Sequence, residues 1–369
     1  MADNEIHRIA INTGGGDAPG LNAVIRAAVI TALGEGWDCV GIRDGYNGLL
    51  EPDQYPDGGL IELDRASVRG ITHLGGTILG TTNRGNPLAY PVEAADGSWS
   101  EVDRSDELIR IFADRGIDAL IAIGGDGSLE IANALAEKGL KVVGVPKTID
   151  NDLEETAVTF GFDSAVTFAT ECIDRLHTTA EAHDRLMVVE VMGRYAGWIA
   201  LHAGLAGSAD AILIPEIPYD LTKVSEAIGR REAAGRHFSI VVVAEGAIPA
   251  GSSVPIVEDE VGQAERLGGV GHQIAASLAA MTGKETRTVV LGHLLRGGSP
   301  TTRDRILSLR FGAAAVRAIK EGCTGCMVSL DPPDVRYVPL ALATRRMKTV
   351  PVDSDTVRTV RDLGVSLGD

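Results

Sequence analysis

The residues best suited by type and spacing to do chemistry lie in three short loops that mix glycine with carboxylates. The first reads Thr13-Gly14-Gly15-Gly16-Asp17-Ala18-Pro19-Gly20 and the second Gly124-Gly125-Asp126-Gly127-Ser128. The third reads Pro146-Lys147-Thr148-Ile149-Asp150-Asn151-Asp152. Glycines at a strand-to-helix turn let backbone N–H groups approach an anion closely, and a helix N-terminus favours negative charge. A carboxylate inside such a cradle repels a bare phosphate. A divalent cation between them removes the conflict, because carboxylate and phosphate oxygens together are the usual magnesium environment. The first two loops therefore point to a metal-bound polyphosphate. An isolated Gly-Gly-Asp-Gly-Ser serves equally well as a tight turn, and it is the company of the other two loops that gives it weight. The first loop is not the dinucleotide fingerprint, since Ala18-Pro19 displaces the last glycine. In the third, two carboxylates and an amide at the end of a buried strand are costly to bury unless they have a task.

The elements that must position these loops follow from hydrophobic patterning. Residues 8–12, 118–123 and 141–145 are short apolar runs that read as buried strands, and 21–33 and 129–137 carry apolar residues at helical spacing. With 38–43, 67–73 and 106–115 they form an alternating series, which implies parallel strands joined by helical crossovers. A second series begins near Asp163: a long helix over 165–178, a strand over 185–191, a helix over 196–206, and strands over 211–214, 238–243 and 288–292. Segments 85–105 and 247–270 are polar and turn-rich and read as loops or small insertions. Open α/β sheets hold ligands beyond the carboxyl ends of their strands, so the three loops are expected to share one crevice.

A chain of 369 residues has room for two domains with a large core. The formal net charge of −17 argues against binding nucleic acid or an anionic membrane surface. There is no apolar run long enough to span a bilayer and no signal-peptide pattern at Met1–Glu5, and four cysteines suit a reducing, cytoplasmic setting. Cys323 and Cys326 form one CxxC without a second pair and read as ordinary thiols. On so acidic a chain a phosphorylated ligand needs local cations, for which Arg185, Arg194, Arg287, His293 and Arg296 are candidates.

Taken together, the motifs resemble the 6-phosphofructokinase family, bacterial type. They run in order along nearly the whole chain: GGGDAPGLN at 14–22, DGYNGL at 44–49, GGTILGTTNRGNP at 75–87, GGDGS at 124–128, PKTIDND at 146–152, EVMGRYAGW at 190–198, PEIPYD at 215–220, AEG at 244–246 and LGHLLRGGSPTTRDR at 291–305. The resemblance implies two three-layer α/β domains with mainly parallel sheets and the active site in the cleft between them. The larger, donor-binding domain would comprise 1–160 plus about 295–343, the smaller, sugar-phosphate domain 161–294 plus about 344–369.

It further implies magnesium-dependent phosphorylation of the C1 hydroxyl of fructose 6-phosphate. By motif position Asp150 is the general base, Thr148 flanks the sugar hydroxyl, and Arg194 stabilises the transferring phosphoryl group. Asp126 is the magnesium ligand, with Asp152 beside it. Met192, Gly193, Glu245, His293 and Arg296 match positions that hold the sugar phosphate. Arg185 and Arg287 match arginines lent by a neighbouring subunit, which makes a homodimer or homotetramer the expected assembly. Gly15, Gly16, Tyr46, Gly127 and Ser128 match the donor side, and Arg84 stands one place from the arginine expected there.

Two positions bear on the donor. Glycine at 127 accompanies ATP in the family, whereas an aspartate there would crowd and repel the nucleotide phosphates. Lysine at 147 is common among pyrophosphate users. The mixture resembles ATP-using members close to the pyrophosphate enzymes, and ATP is the favoured donor. A pyrophosphate-dependent enzyme and a catalytically inert regulatory subunit are the alternatives, the last disfavoured by the joint presence of Asp126, Asp150 and Arg194.

Overall fold

The structure is a computed structural model that describes residues 5–93, 97–252, 256–258 and 266–369. The chain first lays down β1 (Arg8–Thr13), α1 (Leu21–Gly34), β2 (Asp38–Ile42), α2 (Asn47–Leu50) and β3 (Leu60–Glu62). A hairpin of β4 (Tyr90–Glu93) and β5 (Trp99–Val102) precedes α3 (Ser105–Asp114). Then come β6 (Ala119–Gly124), α4 (Asp126–Glu137), β7 (Val142–Thr148) and the short β8 (Phe160–Gly161). It continues through α5 (Phe162–Ala182), β9 (Leu186–Val191), α6 (Trp198–Ala206), β10 (Ala211–Leu213), α7 (Leu221–Ala233) and β11 (Ser239–Ala244). After a small pair, β12 (Ile256–Glu258) and β13 (Arg266–Leu267), follow α8 (Val270–Thr282) and β14 (Thr286–Val290). The chain closes with α9 (Thr302–Lys320), β15 (Cys326–Asp331), β16 (Asp334–Pro339), α10 (Leu340–Ala343) and α11 (Asp355–Asp362).

Two sheets result. The larger runs β16-β15-β7-β6-β1-β2-β3, with β8 attached to β7; the smaller runs β10-β11-β9-β14. Within the larger sheet β1, β2, β6, β7 and β15 are parallel, while β3 and β16 are antiparallel edges. All pairings in the smaller sheet are parallel. The central strands β6, β7, β9 and β11 are buried along their whole length, the pattern required of parallel strands covered on both faces. Apolar clusters lie on each face of each sheet, with Ile9, Ile121, Val143 and Phe311 on one side of the larger and Leu108, Phe112, Leu120 and Leu129 on the other. Strand order reverses between β1 and β6, because β2 follows β1 on one side and β6 joins it on the other. Loops leaving two such strands part in opposite directions and open a crevice.

Several local expectations needed correction. Residues 67–73 are turns, because Asp64 accepts backbone N–H groups from Ala66 and Ser67 and Gly70 adopts φ 77°. Segment 85–105, open as loop or small insertion, holds a small inserted hairpin in which Tyr90 pairs with Val102 and Glu93 with Trp99. Of 247–270, residues 256–258 pair with 266–267, and 253–255 and 259–265 lie outside the described residues. Helix α4 begins at Asp126 rather than Leu129, since extended Gly125 is its cap. Among the described residues no helix is long and apolar enough to cross a membrane.

Candidate active site

A cleft of about 1380 Å³ opens between the carboxyl ends of the two sheets. Residues 14–17 after β1, 125–128 after β6 and Lys147, Thr148, Asp150 and Asp152 at the end of β7 line one wall; Glu190, Val191, Met192 and Arg194 at and after the end of β9, Glu245 after β11 and Gly292, His293 and Arg296 after β14 line the other. The three loops picked out in the sequence thus meet, at the point where the strand order reverses.

Close backbone approach explains the glycines. The Gly14 N–H donates to Ile123 O at 3.0 Å, and a Cβ on Gly124 would stand 2.2 Å from that of Ser128. Ser128 lies in the first turn of α4, so this packing brings the helix N-terminus up beside the first glycine loop. Asp126 and Gly127 occupy the outer side of that turn and are exposed to the cleft. A Cβ on Gly127 would meet no atom of the described residues within 4 Å. Tyr46, Arg84 and the apolar residues Leu88, Ala89, Pro91 and Ile131 also line the cleft. Tyr46 is buried, and burial pushes its phenol above the usual range.

Four charged or polar side chains are concentrated at the end of β7. Lys147, Thr148, Asp150 and Asp152 are 3%, 7%, 4% and 6% exposed, yet all four line the cleft. Lys147 donates from Nζ to Gly16 O, and burial, reinforced by the Arg296 guanidinium, pulls its pKa down to about 8. The Thr148 hydroxyl accepts from the Asp150 N–H at 3.1 Å. Asn151 turns the chain through a left-handed conformation, φ 52°. Among the described residues, Oδ1 of Asp150 and Oδ1 of Asp152 are buried without a hydrogen-bond partner. Burial raises both carboxyl pKa values: Asp150 against the pull of Arg296, Arg194 and Lys147, and Asp152 to about 7 with the charges of Asp150 and Asp126 adding to the rise. Unpartnered carboxylate oxygens beside an exposed third carboxylate fit a hard divalent cation, which takes one or two protein carboxylates and fills its remaining positions with water and phosphate oxygens. Among the described residues no three metal-ligating side chains already converge on one point, as a dedicated cage would require.

The opposite wall is built around Glu245. Its Oε1 accepts the N–H groups of Gly193, at 3.4 Å, and Arg194, at 3.1 Å, and burial raises its pKa. Arg194 is itself left-handed, φ 49°, and its carbonyl passes so close to Gly246 that a Cβ there would lie 1.9 Å from it. Glycine at 246 therefore permits the turn that carries Arg194. Met192, His293 and Arg296 complete this wall, while Gly193 supports it from behind. Arg296 reaches across to donate from Nη1 to Asp17 O at 3.1 Å.

The structure does not bring Arg185 and Arg287 into the cleft. They stand at the opposite, amino ends of β9 and β14, both paired with Glu285. Glu190 and Asn12 are cleft residues that motif reading left unassigned. Glu190 accepts from Gly269 N at 3.2 Å and Gly271 N at 2.7 Å, fixing the start of α8. Its place at the carboxyl end of a buried strand was the available signal. Cys39, Cys172, Cys323 and Cys326 are free, and Cys326 donates to Cys323 O within its own turn.

The family model for phosphofructokinase matches residues 8–319. A protein of Chloroflexus aurantiacus named ATP-dependent 6-phosphofructokinase is 51% identical over 362 residues, 98% of each chain. A protein of Amycolatopsis mediterranei named pyrophosphate–fructose 6-phosphate 1-phosphotransferase is 50% identical over 351 residues, 94% of this chain and 97% of its own. Among solved structures, Pichia pastoris phosphofructokinase in the T-state superposes with a TM-score of 0.79 at 30% identity, over 98% of this chain and 37% of that longer one. In motif order, in fold and in sequence along its length, the chain belongs to the phosphofructokinase family.

Proposed function

We propose that the chain transfers the γ-phosphoryl group of ATP, with magnesium, to the C1 hydroxyl of fructose 6-phosphate, giving fructose 1,6-bisphosphate and ADP. The observation that carries this reading is Asp150: a buried carboxyl with an unpartnered oxygen facing a cleft, among Lys147, Arg194 and Arg296. A raised pKa brings a carboxylate closer to the operating pH, where a base is most effective.

Asp150 accepts the C1 hydroxyl proton as that oxygen forms its bond to the γ-phosphorus. The bond from phosphorus to the bridging oxygen breaks, and its electron pair leaves with ADP. Arg194 stabilises charge on the equatorial oxygens, and Thr148 orients the hydroxyl. Such a reaction needs positioning and electrostatic stabilisation more than covalent help from the protein. Asp126 and Asp152 would hold the cation, which neutralises donor phosphate charge when bound. Gly15, Gly16 and Ser128 cradle the donor; Met192, Gly193, Glu245, His293 and Arg296 hold the sugar phosphate.

ATP is favoured over pyrophosphate by the donor end of the cleft. Open space at Gly127 and the apolar lining residues Leu88, Ala89, Pro91 and Ile131 suit a nucleoside, which pyrophosphate lacks. The relative named for ATP is 51% identical over 98% of this chain and the one named for pyrophosphate 50% over 94%, so overall identity separates the donors little. Arg185 and Arg287, turned away from this chain's cleft, support a homodimer or homotetramer in which they complete a neighbour's sugar-phosphate site. The proposed domains follow the two sheets, with 1–160 and about 295–343 in one and 161–294 and about 344–369 in the other. The proposed compartment is the cytoplasm, in keeping with four free cysteines.

The test is the initial rate of fructose 1,6-bisphosphate formation from fructose 6-phosphate and magnesium, with ATP and pyrophosphate supplied separately. ATP-dependent turnover is expected. Turnover with pyrophosphate alone would reassign the donor to the Lys147 signature, and silence with both would overturn the assignment.

A further inference from the structure

One half-buried cation has no part in the chemistry just described. Lys348 lies in the segment after α10, far along the chain from every motif, and is half-buried at the junction of the two sheets. Its Nζ donates to Asn151 Oδ1 at 3.0 Å, Thr156 O at 2.9 Å and Ala157 O at 3.2 Å. Three acceptors satisfy all three donors of an ammonium group. Its backbone N–H donates to Asp152 O at 2.8 Å, and the preceding Met347 bridges to Leu153.

The same residue also reaches the smaller sheet. Its carbonyl accepts from Trp198 Nε1 at 2.9 Å, and its Nζ stands 5.6 Å from the Trp198 ring centre. Two residues on, Val350 N donates to Glu216 Oε1 at 2.8 Å, and that oxygen also accepts from Gly197 N at 3.0 Å. Gly197 and Trp198 begin α6, directly after the turn that carries Arg194. One short segment thus grips the Asp150–Asp152 turn with one side and the Arg194 segment with the other.

Asn151 is the linchpin of this contact. It lies between the two buried carboxylates, its backbone is left-handed, and its side-chain oxygen accepts from both Lys348 Nζ and Thr159 N, the latter at 3.2 Å. A left-handed non-glycine turn persists only where its surroundings hold it. We propose that Lys348 is a positioning residue for phosphoryl transfer: by holding Asn151 it fixes the turn that aims Asp150 and Asp152 into the cleft, and through Trp198 it registers that turn against Arg194. The inference rests on the reading of Asp150 as the base. A misplacement of about 1 Å in such a site costs about a hundredfold in rate.

The experiment compares Lys348→Met, Lys348→Arg, Asn151→Gly and the Lys348→Met/Asn151→Gly double variant in the intact protein, with steady-state kinetics and thermal unfolding. Methionine keeps the stem over Trp198 but removes the donors; glycine keeps φ 52° without strain but removes the acceptor. Lys348→Met is expected to lower kcat about ten- to a hundredfold while KM for fructose 6-phosphate changes less than about threefold. Lys348→Arg should recover part of the rate, and the double variant should lose no more than the worse single one. Wild-type kcat in Lys348→Met, or losses that multiply in the double variant, would overturn the proposal. If Lys348→Met does not fold, Asn151→Gly decides: a tenfold fall in kcat supports the link and an unchanged kcat refutes it. An inactive wild type would overturn the function and this inference with it, whereas an active wild type with unimpaired variants would overturn the inference alone.

Discussion

Gly127→Asp separates the donor assignment from every other part of the site. The new side chain enters open space, since a Cβ at this position meets nothing among the described residues within 4 Å, and the backbone there is ordinary helix. It adds a carboxylate to the first turn of α4, where the helix dipole favours negative charge by about 0.3–1 kcal/mol, offset by repulsion from Asp126. Unfolding temperature should therefore stay within a few degrees of wild type. The donor meets a different balance. A carboxylate about 5 Å from one phosphate charge is repelled by about 3 kcal/mol at an effective dielectric constant of about 20. Because residue 127 is exposed, solvent screening reduces this to about 1.4–2.7 kcal/mol, or roughly ten- to a hundredfold in affinity. The assay is kcat/KM for ATP at fixed, saturating fructose 6-phosphate and free magnesium, beside a thermal scan of the same preparation. A drop of that size in kcat/KM, carried by KM, with the scan unchanged is the expected result. An unchanged KM for ATP in a folded variant would refute the placement of the donor phosphates at α4.

Asp150→Asn should lower kcat by about two to four orders of magnitude, as expected for loss of a general base, with fructose 6-phosphate binding retained by calorimetry. Near-normal turnover would remove Asp150 from that role. Lys147, with a pKa near 8, loses its charge as pH rises through that value, so KM for the donor should climb above pH 8. In Lys147→Met the KM should be high throughout and flat across the same range. Asp304 is buried, accepts from Ser164 N at 2.8 Å, and has its pKa raised to about 6 by burial. A carboxyl raised in the folded state favours folding below its unfolded pKa and loses that contribution as pH rises through about 6. The stability of wild type relative to Asp304→Asn should accordingly fall between pH 4 and 7 in urea titrations; a pH-independent difference would contradict this.

What the sequence made legible was whatever a short stretch of chain determines by itself. Glycine and carboxylate at the end of an apolar run announced the turns at 14–17, 124–128 and 146–152, and parallel-sheet geometry was enough to expect them in one crevice. Gly193 and Arg194 were legible for the same reason. Where a side-chain hydrogen bond decides local structure, the pattern misled: Asp64 turned 64–67 out of any regular element. Where a pairing partner decides it, the pattern stayed open between loop and insertion, and Val102 made Tyr90 part of an inserted hairpin. Lys348 was illegible because its partners, Asn151 and Trp198, are remote in sequence and no local spacing marks it. Glu190 was readable in position but not in role, since its partners are backbone N–H groups at the start of α8.

The path of the chain between its sheets bears on how it is made. Every strand of the smaller sheet lies between residues 186 and 290, whereas the larger sheet waits for β15 to pair with β7, and α1 waits for α9, the helix against which it packs most extensively. At about 5–20 residues per second, α1 leaves the ribosome tens of seconds before its cover is synthesised. The sheet begun first is therefore the one finished last, and its apolar helix is the natural client of any chaperone that attends the nascent chain.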